Sequence, residues 1–294
     1  MRKLKRIVAI LAAAALSVTV LAGCSSNGGT TSGGTSTQAV KMIDIPLTNE
    51  EYAFGVDKDQ PELLEEVNAF IAEIKSDGTL EEIMNKYFED GEPEAVVSAE
   101  LDTSKDQLVV ATNAAFEPFE YTLSTGNEYY GVDMELAKLL ADRLGQELVI
   151  QNMNFDAVCL SVGQHQCDIA MAGLTVSPTR EEYVQFSDSY YNASQVVIAR
   201  GDDTAFDSCT TAEEVEEVLK GLGSDVLIGC QTGTTGQSYI DGSEDLGFDG
   251  LTAQSRGYQS ASLAVQDMIN GNIDYVIVDI APAEAITAAI NAVA

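Results

Sequence analysis

The chain has 294 residues and a strongly acidic composition, with 47 Asp and Glu residues against 15 Lys and Arg residues and a net charge of −32. A field of this sign repels nucleic acids and anionic lipid surfaces, which excludes both as expected partners. Hydrophobic residues make up 45% of the chain, enough for the cores of two compact lobes.

Residues 1–23 have the pattern of an export signal. A basic start precedes an apolar run from Ile7 to Leu21, shorter than the ~20 residues that span a bilayer. The run closes at Gly23-Cys24 in a stretch that resembles the lipobox of bacterial lipoproteins, although a Cys can also follow an ordinary signal. Residues 24–38, rich in Ser, Gly and Thr, predict a flexible tether. Without the signal the chain holds 11 basic and 47 acidic residues, a net charge of −36.

Apolar runs alternate with amphipathic stretches along the rest of the chain. This alternation predicts an α/β architecture. The predicted strands are 107–112, 147–153, 167–173, 194–200, 225–230 and 274–280, and the predicted helices are 63–74, 80–88 and 132–144.

The segment 40–88 has the character of a domain's end rather than its start. It predicts a short strand, a turn at Pro46, a second strand through Tyr52, Phe54 and Val56, and two helices that would close a domain. Residues 89–106 are acidic and lack periodicity, so they predict a connecting loop.

The cysteines that follow the tether are even in number, and in an exported chain they allow two disulfides with three connectivities. Short loops favour the pairs Cys159–Cys167 and Cys209–Cys230. The chain has no Cys-x-x-Cys spacing and a single histidine, His165, so neither a metal site nor a cofactor is expected.

Five segments from residue 108 onward carry a family resemblance. They are LVVATNAAFEPFEY, GVDMELAKLLADRLG, DIAMAGLTVSPTREEYVQFSDSYY, QTGTTGQ and DYVIVDIAPA. In this order they resemble the polar amino acid-binding proteins of bacterial ABC importers. The resemblance implies the two-lobed α/β fold of type II periplasmic binding proteins, a Venus flytrap with two hinge crossings.

The order of the segments implies a circular permutation. In the family, the elements that 40–88 resembles follow the equivalent of Ala294, whereas in this chain they come first. Residues 89–106 would then join the positions that are the C-terminus and the N-terminus of an unpermuted family member. Chain termini often lie close together at the surface, which permits such a rearrangement. Lobe 1 would then be 50–193, and lobe 2 would be 39–49 plus 194–294.

The resemblance also implies partners for the backbone of a free amino acid. Arg180 matches the residue that binds the α-carboxylate with its planar fork, and Asp279 the acid that receives the α-ammonium. Gly173, Thr175 and Thr235 match loop positions that bind the same backbone groups. A surface arginine, a strand-end turn and a helix cap are the competing interpretations, and Gly/Thr loops are common in proteins.

Other positions match the walls around the ligand side chain. Phe116 and Phe155 match aromatic walls, although either could be core. Asn113 and Gln231 are uncharged, which favours a neutral or polar ligand. Ala172, Tyr121 and Ser260 are further lining candidates.

The expected function is therefore a monomeric, lipid-anchored, extracytoplasmic solute-binding protein that delivers an L-amino acid to an ABC permease. A dehydratase-type enzyme and a sensor module are the alternatives on this fold. The enzyme is disfavoured because Asp279 is the only evident general base in the cleft and His165 lies in a turn that faces away.

Overall fold

The computed structural model describes residues 38–89 and 91–293, so the predicted signal, most of the tether and Cys24 lie outside the described residues. The strands, in chain order, are β1 (Val40–Ile43), β2 (Glu50–Tyr52), β3 (Gly55–Val56), β4 (Val96–Val97), β5 (Gln107–Thr112), β6 (Ala115–Phe116), β7 (Glu120–Tyr121), β8 (Glu128–Tyr129), β9 (Glu147–Asn152), β10 (Ile169–Ala170), β11 (Gln185–Phe186), β12 (Tyr191–Ala193), β13 (Gln195–Arg200), β14 (Leu227–Gln231), β15 (Gln254–Tyr258) and β16 (Tyr275–Asp279). The helices are α1 (Pro61–Asp77), α2 (Thr79–Phe88), α3 (Val132–Leu144), α4 (Phe155–Gly163), α5 (Pro178–Glu181), α6 (Ala212–Lys220), α7 (Thr235–Asp241), α8 (Ala261–Ile269) and α9 (Ile280–Asn291). In the part of the chain that the structure describes, no helix has both the length and the apolar composition to cross a membrane.

Two mixed sheets organise the described residues, and each is the centre of one lobe. Lobe 1 contains the sheet β11-β3-β10-β5-β9, and lobe 2 contains the sheet β1-β13-β16-β14-β15. In each sheet three parallel strands (β10-β5-β9 and β16-β14-β15) form one side, and two strands joined by antiparallel pairings form the other. The buried strands β13 and β16 are rich in Val and Ile, as expected for strands covered on both faces. The two lobes belong to one compact unit.

The chain passes between the lobes at two neighbouring points. Strand β2 pairs antiparallel with β12, and Tyr52 lies opposite Tyr191 in this ladder. The second strand expected from Tyr52, Phe54 and Val56 is therefore divided, because β2 belongs to the crossing and β3 to the sheet of lobe 1.

The segment 40–88 is shared between both lobes. Strand β1 forms the edge of the lobe 2 sheet beside β13. Helix α1 buries Val67, Phe70, Ile71 and Ile74 in the core, and α2 contacts α3 of lobe 1. Gly78 separates the two helices at φ 90°, a conformation that favours glycine.

The end of the chain lies next to the start of β1. The Asn291 side chain in α9 accepts hydrogen bonds from Ala39 N at 2.9 Å and Val40 N at 3.2 Å, and it donates to Val40 O at 2.9 Å. The last helix of lobe 2 and the first strand of the described chain are therefore direct neighbours.

Residues 89–106 are not only a connecting loop. Strand β4 lies in this segment and pairs with β8, and Val96 is buried. The hydroxyl of Ser98 accepts a hydrogen bond from Ile150 N in β9 at 2.8 Å. The prediction of a connecting loop did not include this short strand, because two residues are too few to show periodicity.

The cysteines also depart from the sequence-based expectation. All four are free thiols in the structure, so the predicted disulfides Cys159–Cys167 and Cys209–Cys230 are not present. Cys159 and Cys167 pack as small apolar side chains in one core of lobe 1. Cys230 is fully buried in the core of lobe 2, and burial raises the pKa of its thiol to about 12.

Candidate functional site

The loop after β10 supplies the lobe 1 side of the candidate site. It runs from the strand end through Gly173 and Thr175 to Ser177, whose hydroxyl accepts a hydrogen bond from Arg180 N and caps α5. Pro178 at the first helical position fixes the start of this short helix. The Ser177 cap and Pro178 therefore start α5 at a point from which the Arg180 side chain reaches back to the loop before the helix.

Arg180 bridges the two lobes. Its Nη1 donates to Thr175 O at 2.7 Å, and its Nη2 donates to Gly233 O at 3.2 Å on the opposite lobe. Its guanidinium carbon lies 5.2 Å from the centroid of the Phe155 ring, within the range of a cation–π contact. Two of the five N–H groups are used, which leaves donors for an anion.

Two other predicted pairs meet directly across the cleft. The Thr235 hydroxyl donates to the Thr175 hydroxyl at 2.9 Å, and Gln231 Nε2 donates to Asn113 Oδ1 at 2.7 Å. All four side chains are buried. The loops that were expected to face one ligand from opposite lobes are therefore in contact with one another.

Gly173 lies in close contact with two aromatic rings of the site. A Cβ atom there would lie 2.9 Å from the Phe116 ring and 3.2 Å from the Tyr52 ring, and its φ of +52° is left-handed. Only glycine meets both requirements without displacing a neighbour. Phe116 therefore packs on the backbone of the loop.

Asp279, at the end of β16, lies at the other end of the site. Its Oδ1 accepts a hydrogen bond from the Tyr52 hydroxyl at 2.5 Å, and the side chain is buried. Burial, followed by the negative charge of Glu50, raises the pKa of Asp279 to about 7. Asp279 is also the N-cap residue of α9, although its side chain makes no capping hydrogen bond.

Glu50 is fixed near Asp279 by three donors. They are the Thr48 hydroxyl at 2.6 Å, the Thr175 hydroxyl at 2.7 Å and Gln195 Nε2 at 3.0 Å. Glu50 therefore connects the hinge strand β2 to the loop of lobe 1 that carries Thr175 and to Gln195, the first residue of β13.

Two more acidic side chains are buried beside these residues. Asp133 accepts hydrogen bonds from Gly173 N at 2.9 Å and from the Tyr190 hydroxyl at 2.6 Å, while burial raises its pKa to about 7. Glu120 is fully buried, and neither of its carboxylate oxygens has a hydrogen-bond partner among the described residues. Burial and the charges of Asp133 and Asp279 raise the pKa of Glu120 well above its usual value.

Two cavities flank the direct contacts. One of about 240 Å³ borders Arg180, Phe155 and Gly233. The other, of about 220 Å³, borders Asp279, Tyr52 and the crossing segments. The open space in the site is therefore next to the residue that suits a carboxylate and next to the residue that suits an ammonium.

Three further predicted positions have structural contacts of their own. Ala172 is buried in a core of lobe 1, Ser260 caps α8 by accepting a hydrogen bond from Leu263 N, and Tyr121 stacks on Tyr130. None of the three borders either cavity at the site.

His165 lies outside the cleft, in the turn between α4 and β10. Its Nδ1 lies 2.7 Å from Asp57 Oδ2 and its Nε2 lies 3.6 Å from Asp59 Oδ2. The hydrogen bond with Asp57, with the charges of both carboxylates, raises the pKa of His165. These contacts explain the residue as part of an ion pair that joins two turns of lobe 1.

Sequence reasoning missed Glu50, Tyr52 and Glu120. For Glu50 a signal was present, because side chains alternate along a strand and Glu50 shares its face with the apolar Tyr52, whereas Glu51 points outward. For Glu120 the sequence gives no comparable signal, since β7 is two residues long and both are buried.

Comparisons with known proteins agree on one family. The family model described as bacterial extracellular solute-binding proteins, family 3, matches residues 5–90 and 108–279. The arginine-binding extracellular protein ArtP of Bacillus subtilis (strain 168) is 36% identical over 101 residues, which are 34% of this chain and 39% of that protein. The ABC transporter arginine-binding protein 1 of Escherichia coli (strain K12) is 32% identical over 179 residues, 61% of this chain and 65% of that protein. The chain thus spans less than two thirds of the length of these curated relatives.

Solved structures give the same result. Holo ArgBP from T. maritima matches with a TM-score of 0.51 and 33% identity, covering 63% of this chain and 74% of that one. The ancestral amino acid-binding protein AncCDT-1, a precursor of cyclohexadienyl dehydratase, matches with a TM-score of 0.52 and 27% identity, covering 72% and 78%. The resemblance and the two-lobed α/β fold predicted from the sequence are confirmed. The chain belongs to family 3 of the bacterial extracellular solute-binding proteins.

Proposed function

We propose that this protein binds a free L-amino acid with a cationic side chain between its lobes and delivers it to an ABC permease. The observation that carries the proposal is that Arg180 and Asp279 are linked through one residue, because Arg180 donates to Thr175 O and the Thr175 hydroxyl donates to Glu50, whose charge acts on Asp279. An amino acid backbone needs a cation for its carboxylate and an anion for its ammonium once water is excluded. Relatives named as arginine-binding ABC transporter proteins support both the ligand class and the transport role.

The buried acids favour a cationic side chain over the neutral or polar one that the sequence suggested. Asn113 and Gln231, on which the earlier expectation rested, bind each other in the structure. Glu120 has a buried carboxylate without a partner among the described residues, and Asp133 and Asp279 are close enough to raise its pKa. A guanidinium or ammonium group could neutralise such a carboxylate, and the relatives named as arginine- and histidine-binding agree with this chemistry.

A dehydratase is the second candidate function. The match to the precursor of cyclohexadienyl dehydratase and the raised pKa values of Asp133 and Asp279 favour it, because acid–base catalysis needs groups that titrate near neutral pH. A binding protein returns its ligand unchanged, whereas a dehydratase consumes it, so analysis of the ligand by mass spectrometry after prolonged incubation distinguishes the two.

Arg180→Ala tests the carboxylate site. Removing one side of a desolvated charge pair typically costs about 2–5 kcal/mol, or roughly 30- to several thousand-fold in affinity. Thermal-shift screening of the twenty amino acids identifies the ligand first, because stabilisation grows with the ratio of ligand concentration to Kd. Calorimetry on the variant then measures the loss. Unchanged affinity of Arg180→Ala for the best ligand would contradict the site.

Glu120→Gln tests the ligand class. If the ligand side chain is cationic, the isosteric amide removes its charge partner, and we expect affinity for L-arginine to fall at least roughly thirty-fold, as for other buried charge pairs. Glu128→Gln, an exposed position of the same lobe, is the matched control. A neutral ligand as the best binder, with nearly equal affinity for wild type and Glu120→Gln, would refute the cationic class and leave amino acid binding intact.

The proposed location is the outer face of the cell membrane, with the chain anchored by a lipid on Cys24. The support is the basic start, the apolar run and the Gly23-Cys24 junction of the sequence. Cys24→Ser is expected to move the protein from the detergent phase to the aqueous phase in a detergent-partition assay. Equal partition of the variant and the wild type would exclude the lipid anchor.

We also propose that the chain is a circular permutant of its family, with 40–88 moved to the front. Four observations support this order: β1 lies in the sheet of lobe 2, α1 and α2 pack on lobe 1, Asn291 binds Ala39, and the family model matches in two blocks separated by 91–107. A chain that starts at 91, runs to 293 and continues through a short Gly-Ser linker into 39–89 would restore the order expected for the family.

This rearranged chain is expected to fold and to bind the same ligand, because joining neighbouring ends changes only loop-closure entropy, which varies slowly with length. The new cut falls between α2 and β4 and keeps β4 with its partner β8. A control that uses the same linker but starts inside β5 should not fold, since it divides a central strand. Failure of the rearranged chain to fold, or folding of both chains alike, would refute the proposed permutation.

A further inference from the structure

Two carboxylates from different elements face one amide at the hinge. Glu50 on β2 and Asp279 on β16 are each 6% exposed. Gln195 lies opposite Asp279 in the β13–β16 ladder, and its Nε2 donates to Glu50 Oε1 at 3.0 Å. The two acids are therefore held close together in a region from which water is largely excluded.

Glu50 cannot easily turn away from this position. Hydroxyl donors from Thr48 and Thr175 and the amide of Gln195 occupy both of its oxygens. Asp279, in contrast, accepts one hydrogen bond, from the Tyr52 hydroxyl. Glu50 is thus the fixed member of the pair, and Asp279 is the member with capacity for a new partner.

The other groups near Asp279 add no positive charge. Tyr52 on β2, Tyr191 on β12 and Glu120 on β7 interact with it, and Glu284 on α9 faces Tyr191. Asp133 on α3 acts on Glu120. Arg180 makes its hydrogen bonds to Thr175 O and Gly233 O instead. Among the described residues, no Lys, Arg or His forms an ion pair with Asp279 or Glu50.

We propose that Glu50 makes ligand binding release a proton, because the Glu50–Asp279 pair holds one proton until the α-ammonium of the amino acid replaces it. The inference rests on the proposed function. Asp279 enters the exchange as a neutral carboxylic acid, its O–H bond breaks, the proton leaves to solvent, and the carboxylate pairs with the ligand's ammonium. Two like charges in one buried site rarely ionise together, which is the physical reason for the retained proton.

The direction of the pH dependence follows from Asp279. Its pKa is raised to about 7 by burial and then by Glu50. Below that pH the carboxyl is neutral in the unbound protein and must lose its proton before it can pair with an ammonium, so affinity falls by up to about tenfold per pH unit. Above that pH the carboxylate is already ionised, and affinity becomes independent of pH. Glu50 is a positioning residue in this scheme, since it acts on the ligand through Asp279.

The test is calorimetry of the mature full-length protein with L-arginine, in buffers of different ionisation enthalpy at pH 6, 7 and 8. In wild type we expect Asp279 to contribute close to one released proton per arginine at pH 6 and little at pH 8, in addition to the proton that Glu120 loses to the guanidinium, with affinity roughly tenfold weaker at pH 6. Glu50→Gln keeps the size of the side chain and removes its charge, so proton release at pH 7 should fall and the affinity profile should shift to lower pH. Glu51→Gln, on the exposed face of the same strand, should behave as wild type.

Glu120 and Asp133 are the other buried acids that could supply the proton, and Glu120→Gln and Asp133→Asn remove them one at a time. Release that persists in Glu120→Gln but declines in Glu50→Gln assigns the proton to the Glu50–Asp279 pair, and the reverse pattern overturns the inference. Wild-type affinity that is equal at pH 6 and 8 also overturns it, whether or not Glu50→Gln folds, and leaves amino acid binding intact. Absence of any amino acid binding overturns the proposed function and this inference together.

Discussion

The cost of burying charge is the constraint on which the site depends. Four acidic side chains of the candidate site are buried, and Arg180 makes hydrogen bonds to both lobes at the same site. A buried carboxylate is tolerated when donors surround it and is expensive when they do not. The number of donors therefore separates the acids that hold the structure together from those that can receive a ligand.

Glu50 and Asp133 belong to the first group. Glu50 accepts from three side chains, and Asp133 accepts from the backbone of Gly173 and from Tyr190, so both fix the loop that carries Thr175. Asp279 and Glu120 belong to the second group, with one donor and none among the described residues. The loop that carries Gly173 and Thr175 is thus positioned by the acids that have several donors.

A second consequence concerns the contacts that cross the cleft. Arg180 to Gly233, Thr235 to Thr175, and Gln231 to Asn113 are hydrogen bonds between the lobes, and a ligand bound there as proposed would replace or share them. In such an exchange each hydrogen bond to the ligand replaces a hydrogen bond within the protein. The net binding free energy is therefore a small difference between two large contributions. Selectivity then depends on side chains that give up no protein hydrogen bond when a ligand binds. Glu120 is the clearest example, because its carboxylate has no hydrogen-bond partner among the described residues.

The sequence predicted more of the fold than of the site, and for a physical reason. Strands β5 and β9 and helix α3 follow from patterns within a few residues, and their predicted bounds agree with the structure to within one residue.

The pairs Glu50–Gln195 and Gln231–Asn113 join residues more than 100 positions apart, so no local pattern encodes them. The thiols show the same limit, since the length of a loop between two cysteines does not report whether their sulfur atoms meet, and Cys159 and Cys167 share one core as free thiols. Glu50 combines a local signal with distant contacts. The alternation of side chains in β2 predicts that Glu50 points inward, but its partners Thr175 and Gln195 are far away in the sequence. Those partners belong to different lobes, so Glu50 is held by hydrogen bonds from both of them. One side chain on the hinge strand β2 therefore joins the Thr175 loop of lobe 1 to β13 of lobe 2.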